Sequence, residues 1–173
     1  NYLAGASLNS GETARRQAGS AHPYIVPAQL FRCRDGWVML FISHDDFWRK
    51  FCVEVERPQW LSDERFATMA GRRENREPVI EAVSALLESE TAGDWVARLA
   101  PLGIVVSGVE SLEQALASEL AADRRMVVDL PCDGVRLRAV GAAIKGDGVS
   151  PAFGEPPLLG QHNLELLGGG SVL

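Results

Sequence analysis

Basic residues are in short supply in this chain: 17 Lys and Arg stand against 23 Asp and Glu over 173 residues, a formal charge of −6. A field of that sign repels phosphate backbones, so nucleic acid is not an expected partner. Cysteine is sparse as well, with only Cys33, Cys52 and Cys132, an odd number in no CxxC or other metal-ligand spacing. These read as reduced thiols of a cytoplasmic protein, with neither a disulfide framework nor a zinc site. Long apolar runs are missing: Val38 to Ile42 falls far short of a membrane span, and no basic-plus-apolar signal pattern opens the chain. Neither membrane insertion nor export is expected. The glycine offsets of a phosphate loop are absent, as is a Gly-Lys pair, and Gly5-Ala6-Ser7-Leu8-Asn9 lacks the second glycine that a nucleophile elbow needs.

The composition that remains, 46% hydrophobic and 23% charged, is that of a soluble globular chain. Residues 1–23, interrupted by Gly5, Gly11 and Gly19, read as a linker or exposed arm. Asp35-Gly36 between two apolar runs predicts a hairpin with strands at about 28–34 and 37–42, because both residues tolerate positive φ. Asp45 or Asp46 is expected to cap a helix with Phe47, Trp48, Phe51, Cys52 and Val55 inward, ending before Pro58. Asn75 is expected to cap a second helix, Thr91 to Asp94 to open a third that Gly103 closes, and Ser111 to start a fourth with Leu112, Ala115, Leu116 and Leu120 as its stripe. Ile104 to Val109 reads as a strand. A second hairpin is predicted around Asp133-Gly134, followed from Gly146 by an irregular tail. The expected class is α+β: antiparallel hairpins packed with about four short helices, divided as arm 1–23, small domain 24–122, and hairpin with tail 123–173.

Candidate chemistry is thin. His44-Asp45-Asp46 invites a metal, yet consecutive positions cannot all converge on one ion, and helix capping accounts for the aspartates. Cys33 and Cys52 read as core filler, since a buried thiol stays protonated and inert. Trp37, Trp48, Trp60 and Trp95 sit on separate elements and read as core anchors rather than a ligand cage. Arg72-Arg73-Glu74-Asn75-Arg76 reads first as a solvated helix start and second as an anion grip. These residues alone do not reach a reaction.

Their order along the chain does. Ala21-His22-Pro23, Pro27-Ala28-Gln29, Asp35-Gly36 and Asp46-Phe47-Trp48-Arg49-Lys50-Phe51-Cys52 resemble the C-terminal half of the family III CoA-transferases, the group of formyl-CoA transferase, carnitine CoA-transferase and α-methylacyl-CoA racemase. Pro58 to Thr68 with Arg72 and Asn75-Arg76, Thr91 with Asp94-Trp95 and Leu99, and Pro156-Pro157-Leu158-Leu159-Gly160-Gln161-His162 continue the resemblance.

The resemblance implies transfer of CoA between carboxylic acids through anhydride and thioester intermediates on an aspartate, or racemisation beside a thioester. It places that aspartate and most of the CoA site on a large domain that would lie before Asn1. Acyl-CoA is then the substrate, no cofactor is tightly bound, and the catalytic nucleophile is outside these residues. Asp35, Asp45 and Asp133 read as turn or cap residues. The stretch Gln17-Ala18-Gly19-Ser20-Ala21-His22 matches the family's loop over the thioester, which makes Gln17, Gly19, Ser20 and His22 the candidate substrate-loop residues. The chain departs from the family pattern at Ala28, at Gly103-Ile104-Val105 and Ser107-Gly108-Val109, which lack prolines, and at Ser43-His44-Asp45. Two function classes follow: the small domain of a CoA-transferase or racemase, or a free-standing, non-catalytic binding or assembly module derived from it. Partners are expected to be further copies of the chain or a large CoA-binding domain.

Overall fold

The structure is a computed structural model that describes residues 2–10, 17–132, 135–148 and 153–168. By packing, the chain divides into two compact units, residues 1–109 and 110–173. That division falls ahead of the helices at 112–123, which the sequence reading groups with the preceding elements.

The first unit carries a three-stranded antiparallel sheet in the order β1 (Ala28–Arg32), β2 (Trp37–Phe41), β3 (Val105–Gly108). Asp35-Gly36 joins β1 to β2 as the sequence predicts, and the register pairs Ala28 with Phe41 and Arg32 with Trp37. β3 returns beside β2 with Val38 opposite Gly108. Alternation sends Phe31, Val38 and Leu40 inward. Against them pack α2 (Asp45–Glu54), α4 (Arg76–Leu87) and α5 (Ala92–Leu99), whose spacing delivers Trp48, Phe51, Val79, Val83, Leu87, Trp95 and Leu99 to one core. Each of these side chains is stripped of water, worth roughly 1.5–3 kcal/mol apiece. Thr91 and Asp94 close the expected capping box at α5, and the Asp35 carboxylate adds a bond from the Ala92 N–H at 2.8 Å. Gly103 ends the 3₁₀ turn after α5 with φ +80°.

Several local expectations are corrected. Within the stretch read as a linker or exposed arm, Tyr2–Ser10 forms a helix, α1, because Gly5 lowers helix propensity without forbidding it. His44, not an aspartate, takes the N-cap position of α2; Asp45 and Asp46 fall in its first turn, where the helix dipole favours negative charge. A short α3 (Met69–Glu74), capped by the Thr68 hydroxyl, precedes α4. Asn75 stands at the N-cap of α4, yet its side chain donates back to the Gly71 carbonyl at 2.9 Å.

In the second unit the anticipated single helix after Ser111 breaks in two, α6 (Leu112–Ala117) and α7 (Glu119–Asp123). Ser118 turns to ψ 153° there and caps α7 with its own hydroxyl. The predicted stripe consequently stays wet at Leu112 and Leu120. β4 (Val127–Leu130) and β5 (Leu137–Val140) form the second hairpin, with Val127 opposite Val140; its proposed turn, Asp133-Gly134, lies outside the described residues. The tail gains one short helix, α8 (Asn163–Leu167). No helix among the described residues is long and apolar enough to cross a membrane.

Candidate functional site

The loop before β1 is built as a clasp on the edge of the sheet. Gly19 takes φ +58°, a left-handed conformation that glycine adopts without strain, and the Ala21 N–H closes a turn onto the Ala18 carbonyl at 3.3 Å. β1 is an edge strand, so its outward N–H and C=O groups need partners. The Leu30 N–H donates to the Ser20 hydroxyl at 2.8 Å, and the His22 N–H donates to the Ala28 carbonyl at 2.8 Å. Ser20 and His22 thus close two positions of the strand edge, while Gly19 stays exposed at the tip and Gln17 is half-buried.

His22 has a second task. Its Nδ1 accepts from the Tyr24 N–H at 3.2 Å and the Ile25 N–H at 3.0 Å, which in the neutral ring assigns the proton to Nε2. The ring meets Phe41 edge-on with centroids 6.0 Å apart. The carbonyls on the other side of this knot are held by arginines. Arg76 Nη2 donates to the His22 and Pro23 carbonyls, both at 2.9 Å, and Arg72 Nε donates to the Val26 carbonyl at 2.8 Å.

Arg72 overturns the reading of its stretch as a solvated helix start. It is fully buried, with Nη1 on the Phe66 carbonyl at 3.0 Å, Nη2 on the half-exposed Asp45 carboxylate at 2.8 Å, and its guanidinium 4.7 Å from the Trp48 ring centroid. Burial pushes the Arg72 pKa down while Asp45 pushes it up, and burial alone pushes the Arg76 pKa down. Among the tryptophans only Trp37 departs from the expected core role, being exposed on β2; Trp48 is buried in the core and stacks on Trp60 at 5.7 Å, with Phe51 and Phe66 alongside. Trp95 is the core anchor expected of it, with its indole N–H on the Leu87 carbonyl at 2.9 Å.

The remaining candidates have structural partners. His44 Nδ1 meets the Ser43 hydroxyl at 2.7 Å, Asp45 pairs with Arg72, and Asp46 pairs with Arg49 and Lys50, so the three side chains diverge. Among the described residues no group of three His, Cys, Asp or Glu could hold a metal. Burial pushes the Cys52 thiol up to about 12, and burial with the nearby Asp35 charge raises Cys33. Neither thiol is a nucleophile at neutral pH. Asp63 and Asp129 are bonded to Arg65 and Arg136, which lower their pKa values. Of the sequence-derived loop residues, Ser20 and His22 share one bonded knot with Gly19 at its tip. The arginine clamp beneath them escaped sequence reasoning, because Arg72 and Arg76 lie on successive helices and their carbonyl partners are some fifty residues away in sequence for the Val26, His22 and Pro23 bonds.

Comparison with known proteins supplies a context for this arrangement. The family model for CoA-transferase family III matches residues 1–163. An acyl-CoA transferase of Fusarium pseudograminearum is 31% identical over 164 residues, covering 92% of this chain and 36% of its own length. The succinyl-CoA:glutarate CoA-transferase of Mus musculus is 24% identical over 160 residues, covering 91% and 36%. The chain therefore spans little more than a third of these relatives. The crystal structure of a CAIB/BAIF family protein from Brucella suis superposes with a TM-score of 0.77 at 24% identity, over 96% of this chain and 40-odd percent, 43%, of that one. With its α+β fold and a family match over residues 1–163, this chain belongs to CoA-transferase family III.

Proposed function

We propose that the chain serves as the small domain of a CoA-transferase that moves CoA between carboxylic acids, with the loop at Gln17, Gly19, Ser20 and His22 facing the acyl-CoA. The nucleophilic aspartate and most of the CoA site belong, in this reading, to a large domain outside these residues. The observation that carries it is the engagement of the aspartates in the first unit: Asp35 caps α5, Asp45 holds Arg72, Asp46 and Asp63 hold Arg49 and Arg65, and Asp94 completes a capping box. A carboxylate that must attack a thioester carbonyl has to be presented to it, and these are spent on the fold. Reduced, buried Cys33 and Cys52 suit a cytoplasmic enzyme. Exposed Leu158, Leu159, Leu164, Leu166 and Leu167 offer apolar surface to a second copy or to the large domain.

The purified chain, given an acyl-CoA and an acceptor acid, is expected to form no new thioester by mass spectrometry. Turnover that disappears in D35N, D45N or D133N would overturn this reading. Light scattering on the same sample reads self-association directly: a mass above the monomer supports pairing through the leucines, and a monomer at every concentration counts against it.

A further inference from the structure

The segment 22–26 is held from both ends by two arginines four residues apart on successive helices. Arg72, at the end of α3, takes the Val26 carbonyl, and Arg76, the first residue of α4, takes those of His22 and Pro23. The two clamps are not equivalent. Arg72 also secures Phe66 and Asp45 inside the core, so its removal would disturb the whole unit. Arg76 Nη2 bonds only to the loop's carbonyls, and its Nη1 is buried with no hydrogen-bond partner among the described residues. A buried nitrogen left without an acceptor costs stability. The guanidinium sits there in spite of that, held by two charge-assisted bonds to the backbone of the knot. His22 completes the device: its Nδ1 takes the Tyr24 and Ile25 N–H groups while its own N–H fixes the knot to Ala28. The orientation of the His22 ring, and of the Gly19-Ser20 tip that Leu30 holds, is thereby tied to the Arg76 side chain.

We infer that Arg76 is a positioning residue: through the His22 and Pro23 carbonyls it sets the geometry of the 17–22 loop over the acyl-CoA. The inference rests on the small-domain reading above. It differs from a purely structural role in what it moves. Losing Arg76 should loosen the 20–26 segment without loosening the Val79, Val83 and Leu87 core, and a lysine should restore much of the effect. Lysine keeps a charged donor for the carbonyls and carries no second nitrogen to leave unpaired.

The test compares wild type, R76M and R76K. In hydrogen–deuterium exchange on the chain itself, R76M is expected to speed exchange of the Tyr24 and Ile25 amides by about tenfold, leave the α4 amides unchanged, and be largely reversed in R76K. In the chain combined with the large domain of a family relative, R76M is expected to lower kcat by about tenfold while KM for acyl-CoA moves less than about twofold. Unchanged exchange at 24 and 25, or faster exchange across the whole core, overturns the inference. So does a kcat equal to wild type. If wild type itself transfers no CoA in that mixture, the small-domain reading fails, and the exchange arm still decides whether Arg76 holds the loop.

Discussion

Replacing Arg72 by methionine is expected to lower the free energy of unfolding by about 3–5 kcal/mol, the largest loss for any single side chain considered. Methionine fills a similar volume but strands the Val26 and Phe66 carbonyls inside the unit, and each unpaired buried acceptor costs roughly 1–3 kcal/mol. It also removes the cation over the Trp48 ring. The loss of Asp45's partner adds little, because that carboxylate is half-exposed and its pairing is screened by water. Urea titration followed by tryptophan fluorescence checks this, and a loss below about 1 kcal/mol would contradict the role given to Arg72. D45N, by comparison, should cost no more than about 1 kcal/mol.

Gly71 supplies the second large effect. Alanine normally improves on glycine inside a helix by about 1 kcal/mol, and nothing in the sequence of α3 warns otherwise. In the fold, a Cβ at this position would collide with the Glu64 backbone carbonyl and press on the Thr68 hydroxyl that caps the helix. Backbone cannot swing aside as a flexible side chain can. G71A is therefore expected to destabilise by about 1–3 kcal/mol despite its better propensity. A variant as stable as wild type in the same titration would mean that the close approach relaxes freely.

The two cases mark what a sequence carries and what it does not. The hairpin at Asp35-Gly36, the capping box at Thr91, the helix start at Ser111 and the apolar spacing of α4 and α5 were legible because each is decided within a few residues by local geometry. Arg72 was not, because charge patterning treats an arginine followed by Arg73 and Glu74 as solvated. Its burial depends on carbonyls of Val26 and Phe66 delivered by the fold. The same holds for Trp48 and Trp60, separated in sequence and stacked in space, and for the break at Ser118, where a hydroxyl competes with the helix backbone. At the candidate site, the loop at 17–22 was found through its resemblance to a family. Its attachment to β1 and Arg76 became visible only in three dimensions.

Acyl-transfer kinetics of the chain reconstituted with a family large domain, with Gly19 replaced by tryptophan and the Ser20 bond to Leu30 left in place, test the central claim most directly. The space at Gly19 is open, so bulk there is not expected to disturb the core; its φ of +58° confines the strain to the turn. If the loop faces the thioester, turnover falls by about tenfold or more while the urea midpoint stays close to wild type. Unchanged kcat and KM in the reconstituted enzyme would contradict the account.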